Sequence, residues 1–174
     1  MALVTAVRKF VPGELLNNRI PDIITVVKSA VRRTFAEFRN DPERSGGYLR
    51  ITCTTNNPDS RPLRLIPIGF VPNQFESYLA NFTLKETLRL RAHPQCFSSH
   101  QCRDREQDEF GCAIRVWRNY LFAFSFSGFL PDYANEAAMV LAADELGLLA
   151  PWQVRHIVQA SRNELAIKLA DLHL

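Results

Sequence analysis

Two histidines and two cysteines fall within the ten residues His93-Pro-Gln-Cys-Phe-Ser-Ser-His-Gln-Cys102, and Cys112 follows. Imidazole and thiolate are preferred ligands of tetrahedral zinc, so Cys96, His100 and Cys102 are the candidate metal set and zinc the candidate ion. The spacing H-x2-C-x3-H-x-C is neither a knuckle nor a ribbon, and an ordinary polar loop with incidental Cys and His explains it more simply. The same stretch offers a thiol, Cys96 or Cys102, beside a base, His93 or His100. Nucleophilic catalysis needs a lowered thiol pKa and a base held by a third group. Closeness in sequence supplies neither.

Two other sets carry polar chemistry. Thr52, Thr54, Ser125 and Ser127 stand at alternate positions of apolar–polar runs, where hydroxyls on one face of a sheet would meet a ligand. Arg32, Arg33, Arg39, Arg44, Arg50, Arg61 and Arg64 crowd the first third of the chain, with Phe38 and Tyr48 available to stack on a base. Residues 1–64 hold 11 basic and 6 acidic side chains, a balance of +5, against +3 for the whole chain. Phosphate contacts by such residues give salt-dependent affinity, but solvated helix faces have the same composition. No RNP-like or helix-turn-helix signature accompanies the arginines, so nucleic acid ranks below a small molecule as partner. Walker, dinucleotide, HExxH and GxSxG motifs are all missing, which removes the enzyme classes legible from motifs.

The elements that must position these residues follow from periodicity. Ile20, Ile23, Ile24, Val27, Val31, Phe35 and Phe38 recur at three- and four-residue steps, which predicts a helix from Ile20 to about Phe38 with Lys28, Arg32 and Arg39 on its solvent face. From Tyr48 the period is two, and after Asn56-Asn57-Pro58-Asp59 a second apolar run spans Leu63–Val71, giving a hairpin. Pro67 lacks a ladder donor and puts that second strand at an edge or bulge. Asn73/Glu76 and Thr83/Glu86 both resemble helix-start boxes, so a helix is expected from about Gln74 to Ala92, with Thr83 a candidate point for a break. His93–Phe110 reads as a loop. Cys112–Val116 and Leu121–Ser127 form a second hairpin turning near Arg118-Asn119. Its Phe122, Phe124 and Phe126 need a covering layer, while the opposite face is small and polar, open to solvent or a ligand. A helix over Tyr133–Leu146 stops at Gly147, and Pro151 opens one last helix with a stripe from Val154 to Leu172.

This order predicts one α+β domain over residues 1–174: an antiparallel sheet of four or more strands from two hairpins, with helices packed on it. With 174 residues, 47% hydrophobic, the chain is long enough to build a core without disulfides. No apolar run approaches a membrane span of about 20 residues. Met1–Phe10 has its charges after its apolar residues, unlike a secretion signal. A cytoplasmic address and reduced cysteines are the resulting expectations.

The stretch Ala113-Ile-Arg-Val-Trp-Arg-Asn-Tyr-Leu-Phe-Ala-Phe-Ser-Phe-Ser-Gly128, the Ala-rich helix beginning at Asp132, and Ser98-Ser99 after the middle helix resemble profilin-like and PAS-like domains. More narrowly, residues 45–147 resemble the haem-binding, GlcG-type family. The resemblance implies that fold and a ligand held between sheet and helices, with haem as one cofactor; His93, His100 and Cys96 are candidate axial donors because His and Cys are the usual ones. The chain departs from that family in keeping only Gly111 of a Gly-rich hairpin entry, in its Cys/His loop, and in matching no family haem ligand.

The function expected from these readings is a small-ligand-binding or regulatory module and not a catalyst. Its ligand set would be Thr52, Thr54, Ser125, Ser127, His93 and His100, with haem or zinc as alternatives. Two other roles stand behind it: a homo-oligomeric scaffold paired through a sheet edge or the last helix, and a weak nucleic-acid binder using the basic first third.

Overall fold

The computed structural model describes residues 18–38, 46–53, 64–103, 112–116, 122–128 and 131–171. Thr54, Arg39, Arg44, Arg61, the Phe38 side chain and the turn at Arg118-Asn119 lie outside the described residues. In chain order come α1 (Ile20–Phe38), β1 (Gly47–Cys53), β2 (Arg64–Ile68), α2 (Asn73–Ala92), β3 (Ala113–Val116), β4 (Phe122–Gly128), α3 (Asp132–Glu145), α4 (Pro151–Ser161) and α5 (Glu164–Leu169). β1 pairs antiparallel with β2, and β3 with β4. Antiparallel pairing of β1 with β4 joins them into one sheet of order β2-β1-β4-β3. The expected α+β class is the observed one.

Alternation along the strands sorts the side chains onto two faces. Leu49 and Ile51 of β1, Ile114 and Val116 of β3, and Phe122, Phe124 and Phe126 of β4 share the first face and are fully buried. They pack with α1 and α3 in one core. Full burial of each such side chain contributes about 1.5–3 kcal/mol, which is why the Phe triplet demands cover. α1 supplies Ile23, Val27, Ala30, Val31 and Phe35 along one stripe. α3 is buried from Ala134 to Ala143, and its alanines suit a helix enclosed by the sheet, α1 and α5.

The second face carries Tyr48, Arg50 and Thr52 from β1, Ala113 and Arg115 from β3, and Ala123, Ser125 and Ser127 from β4. Here the sequence expectation of an open polar surface is corrected, because α2 lies across this face and buries it. Its Leu79, Thr83, Glu86, Thr87 and Leu90 turn toward the strands.

Two helix boundaries also differ from expectation. α2 runs unbroken through Thr83, because the Thr83 and Glu86 side chains point into the sheet instead of closing a helix start. The last helix is two: Arg162 adopts a left-handed φ of 54°, and Asn163 then caps α5 by accepting the Ala166 N–H at 3.1 Å.

The sheet edges are unlike. β2, with Pro67, closes one side as expected for a strand lacking a ladder donor. Beyond β3, residues 97–99 add a short pairing of their own: Ser98 bridges Ile114, the Ser99 N–H donates to Ala113 O at 2.8 Å, and the Arg115 N–H donates to Phe97 O at 2.8 Å. Among the described residues no helix is long and apolar enough to cross a membrane.

Candidate functional site

The layer between α2 and the sheet is where the predicted hydroxyls sit. Thr52, Ser125 and Ser127 are 5%, 0% and 3% exposed, and the strand register sets them opposite Ala123, Arg50 and Tyr48 in that order. The Ser125 hydroxyl lies 3.5 Å from the Cys112 thiol, while Thr52 Oγ1 is buried without a hydrogen-bond partner among the described residues. These hydroxyls therefore face the underside of α2.

Two buried guanidinium groups hold α2 down. Arg50 donates to Thr83 Oγ1 and to Ala80 O, both at 3.1 Å. Arg115 donates through Nε to Cys96 O at 2.8 Å and through its terminal nitrogen to Leu90 O and to His93 O. Those carbonyls belong to the C-terminal turn of α2 and its exit, where the helix dipole favours a cation. Burial lowers the pKa of both arginines, so the hydrogen bonds to neutral oxygens are what keep the charge tolerable. Arg50 is thus withdrawn from any surface that a phosphate backbone would meet.

Glu86 sits in the same layer, 1% exposed. Arg89 donates to its Oε1 at 2.8 Å, and its Oε2 is buried without a partner at hydrogen-bond distance. Burial dominates and raises the carboxyl pKa to about 7, against the opposing pull of the Ser99 hydroxyl, Arg89 and the Cys112 N–H. Ser98 does the equivalent on the other face, donating to Glu136 Oε2 at 2.5 Å. Asn163 donates to Glu136 Oε1 at 3.1 Å. Burial still leaves the Glu136 carboxyl above its ordinary pKa. Adjacent serines at a strand-like position thus serve buried glutamates on opposite sides of the sheet.

The Cys/His stretch folds as a tight turn around this edge. Cys102 is half-buried, its thiol near Ser99 O at 3.6 Å and Ser98 O at 3.8 Å. Burial, with the Cys96 thiol nearby, pushes its pKa up to about 12, and burial sends that of Cys112 well above the ordinary thiol value. Protonated thiols are poor nucleophiles. Among the described residues no three His, Cys, Asp or Glu side chains converge as a metal site, so Cys96, His100 and Cys102 are not brought together for zinc. His93 keeps a buried Nδ1 without a partner, and the His100 N–H donates to Ser98 Oγ at 3.1 Å. A haem needs a slot beside its axial donor. The main chain of His93 and Cys96 wraps the Arg115 guanidinium, while the His93 and His100 side chains are partly exposed.

A different place offers room. Between α1 and β2, on the apolar face of the sheet, lies an open groove of about 400 Å³ lined by Lys28, Val31, Arg32, Phe35, Pro67, Ile68 and Gly69. Val31, Phe35 and Ile68 are buried and make an apolar floor, while Lys28 and Arg32 are exposed at the rim. Gly69 leaves β2 with a φ of 71°, a conformation that favours glycine. Sequence reading assigned Lys28 and Arg32 to a solvated helix face. Only the packing of β2 beside α1 reveals that they border a cavity, and a lysine and an arginine four residues apart without an acid nearby were the available signal.

The architecture thus defines an α+β protein with helices on both faces of a four-stranded antiparallel sheet. Comparison with protein-family models, with curated proteins and with solved structures finds no match.

Proposed function

We propose that the chain is a small-ligand-binding module whose site is the groove between α1 and β2. The observation carrying this reading is the combination of an apolar floor and polar rim in one concavity, at a volume within the usual range for small-molecule sites of about 300–1,000 Å³. The resemblance to ligand-holding profilin-like and PAS-like domains supports the same class of role. The residues that first suggested binding, Thr52, Ser125 and Ser127, serve the α2 interface in this reading.

Thermal unfolding against a panel of small carboxylates, phosphates, amines and neutral aromatics tests it. A ligand at a hundredfold excess over its dissociation constant stabilises by about 2.7 kcal/mol, which raises the melting temperature by about 5 °C or more at this size. The expected result is such a rise for at least one class in a monomeric protein. A stable dimer by light scattering, indifferent to every compound, would instead favour the scaffold reading, in which a second copy pairs with the β2 edge.

A further inference from the structure

We propose that the groove between α1 and β2 takes an organic anion, a carboxylate or phosphate monoester carrying a compact apolar body. This rests on the reading of the groove as the binding site and names its ligand class.

The cations of α1 fall into two groups. Arg33 pairs with Glu145 and donates to Leu169 O at 2.9 Å. Glu37, one turn further, takes Lys168. Those contacts tie α1 to the C-terminal helices. Lys28 and Arg32, by contrast, have no acidic or carbonyl partner among the described residues, although both stand on the same helix. They sit four residues apart, the spacing at which like charges on a helix repel by a few tenths of a kcal/mol, at about 0.2–0.5. Helix neighbours three or four residues away offer no acid: Ile24, Thr25, Ser29, Val31, Phe35 and Ala36. Among the described residues the pair therefore has no acid to balance its double positive charge at the rim.

The floor beneath it constrains the other end of the ligand. Val31, Phe35 and Ile68 present hydrocarbon, which a fully hydrated anion cannot use and an aryl or short alkyl group can. Pro67 and Gly69 frame the remaining side at the sheet edge. Inorganic phosphate would engage only the rim, and a neutral apolar compound only the floor. An amphiphilic anion engages both, with the guanidinium of Arg32 able to chelate two oxygens and Lys28 acting as a point charge.

Calorimetric titration with octanoate and with phenyl phosphate, set beside inorganic phosphate and benzyl alcohol, tests the assignment. Both amphiphilic anions should bind, the two control compounds should bind at least tenfold more weakly, and affinity should fall with added salt. Lys28→Gln and Arg32→Gln should each weaken phenyl phosphate about tenfold, with Lys28→Arg restoring most of the loss. Both side chains are exposed, and an unchanged circular-dichroism spectrum confirms that the variants fold. Sedimentation with phosphatidylglycerol vesicles separates two sources of the same chemistry: free anions leave the chain in the supernatant, whereas a lipid source carries it down in a Lys28- and Arg32-dependent way. Benzyl alcohol binding as tightly as the anions, unaffected by either substitution, would overturn the anion assignment while leaving the groove as a ligand site. Anion binding that survives both substitutions would also overturn it. If no probe binds and no compound of the wider panel stabilises the fold, the ligand-binding reading itself falls.

Discussion

The two faces of the sheet solve the same problem by different chemistry. Toward α1 and α3 the strands present Leu49, Ile51, Ile114, Val116 and three phenylalanines, and cohesion there is hydrocarbon burial. Toward α2 they present Arg50, Thr52, Arg115, Ser125 and Ser127, and cohesion comes from directed hydrogen bonds into Thr83, Ala80, Leu90 and the turn beyond. Burial without a polar partner is harmless on the first face and costly on the second. Most of that polar face is spoken for by α2, with Thr52 Oγ1 and Glu86 Oε2 the buried atoms there that keep no partner among the described residues. At the rim of the oily side stand two exposed cations, Lys28 and Arg32, without a protein partner among the described residues, and the proposed ligand site lies there.

Substitutions separate these two kinds of cohesion. Phe124→Ala empties a fully buried ring from the centre of the apolar face, and urea unfolding should show a loss of about 3–5 kcal/mol. A loss below about 1 kcal/mol would mean that the face is not the core. On the polar face the largest effect is tied to pH. The folded-state pKa of Glu86 is raised from 4.5 to about 7, so the folded chain binds this proton more tightly than the unfolded one. Its contribution is greatest below pH 4.5 and is lost as the pH climbs toward 7. Across that window the loss amounts to about 3 kcal/mol, which Glu86→Gln should remove. Glu136 and Asp144, also raised by burial, tilt stability the same way in both proteins. The difference between the two pH profiles therefore reports Glu86 itself, and parallel profiles would refute its burial as a charged liability.

Arg115→Ala comes next. It leaves Leu90 O, His93 O and Cys96 O short of a donor, and should destabilise by about 2 kcal/mol. Hydrogen exchange should rise first in the last turn of α2, whereas uniform acceleration would argue against a local clamp.

Much of this arrangement could be read from sequence where the signal is local. Period-two alternation located both hairpins, Pro67 marked an edge, and Gly147, with a φ of 63°, ended α3 as its place after an Ala-rich run suggested. The Phe triplet announced a covered face. What escaped reading depends on contacts between distant segments. Thr83 and Glu86 look like a helix start until Arg50, 33 residues earlier than Thr83, is seen bonding to the threonine. The break between α4 and α5 is hidden because Leu165 and Leu169 continue the apolar stripe past it. There Asn163 does double duty, capping α5 and reaching the Tyr133 carbonyl and Glu136. The hydroxyls of Thr52, Ser125 and Ser127 were placed on the right face, but alternation cannot say which helix covers a face. The groove joins residues 28–35 to residues 67–69, a juxtaposition no window of sequence contains.

The smallest stability effect belongs to the rim. Replacing both Lys28 and Arg32 by Gln should change unfolding free energy by no more than about 0.5 kcal/mol, with relief of repulsion favouring a slight gain. A loss above about 1 kcal/mol would mean that these cations hold the fold together and do not wait for a ligand.

The central claim is that ligand recognition belongs to the groove and structural cohesion to the polar layer. Amide chemical-shift mapping during a phenyl phosphate titration tests it most directly. The account predicts saturable shifts at Lys28, Val31, Arg32, Phe35, Ile68 and Gly69, with Thr52, Ser125 and Ser127 unmoved; shifts centred on those three hydroxyl residues, with the groove silent, would contradict it.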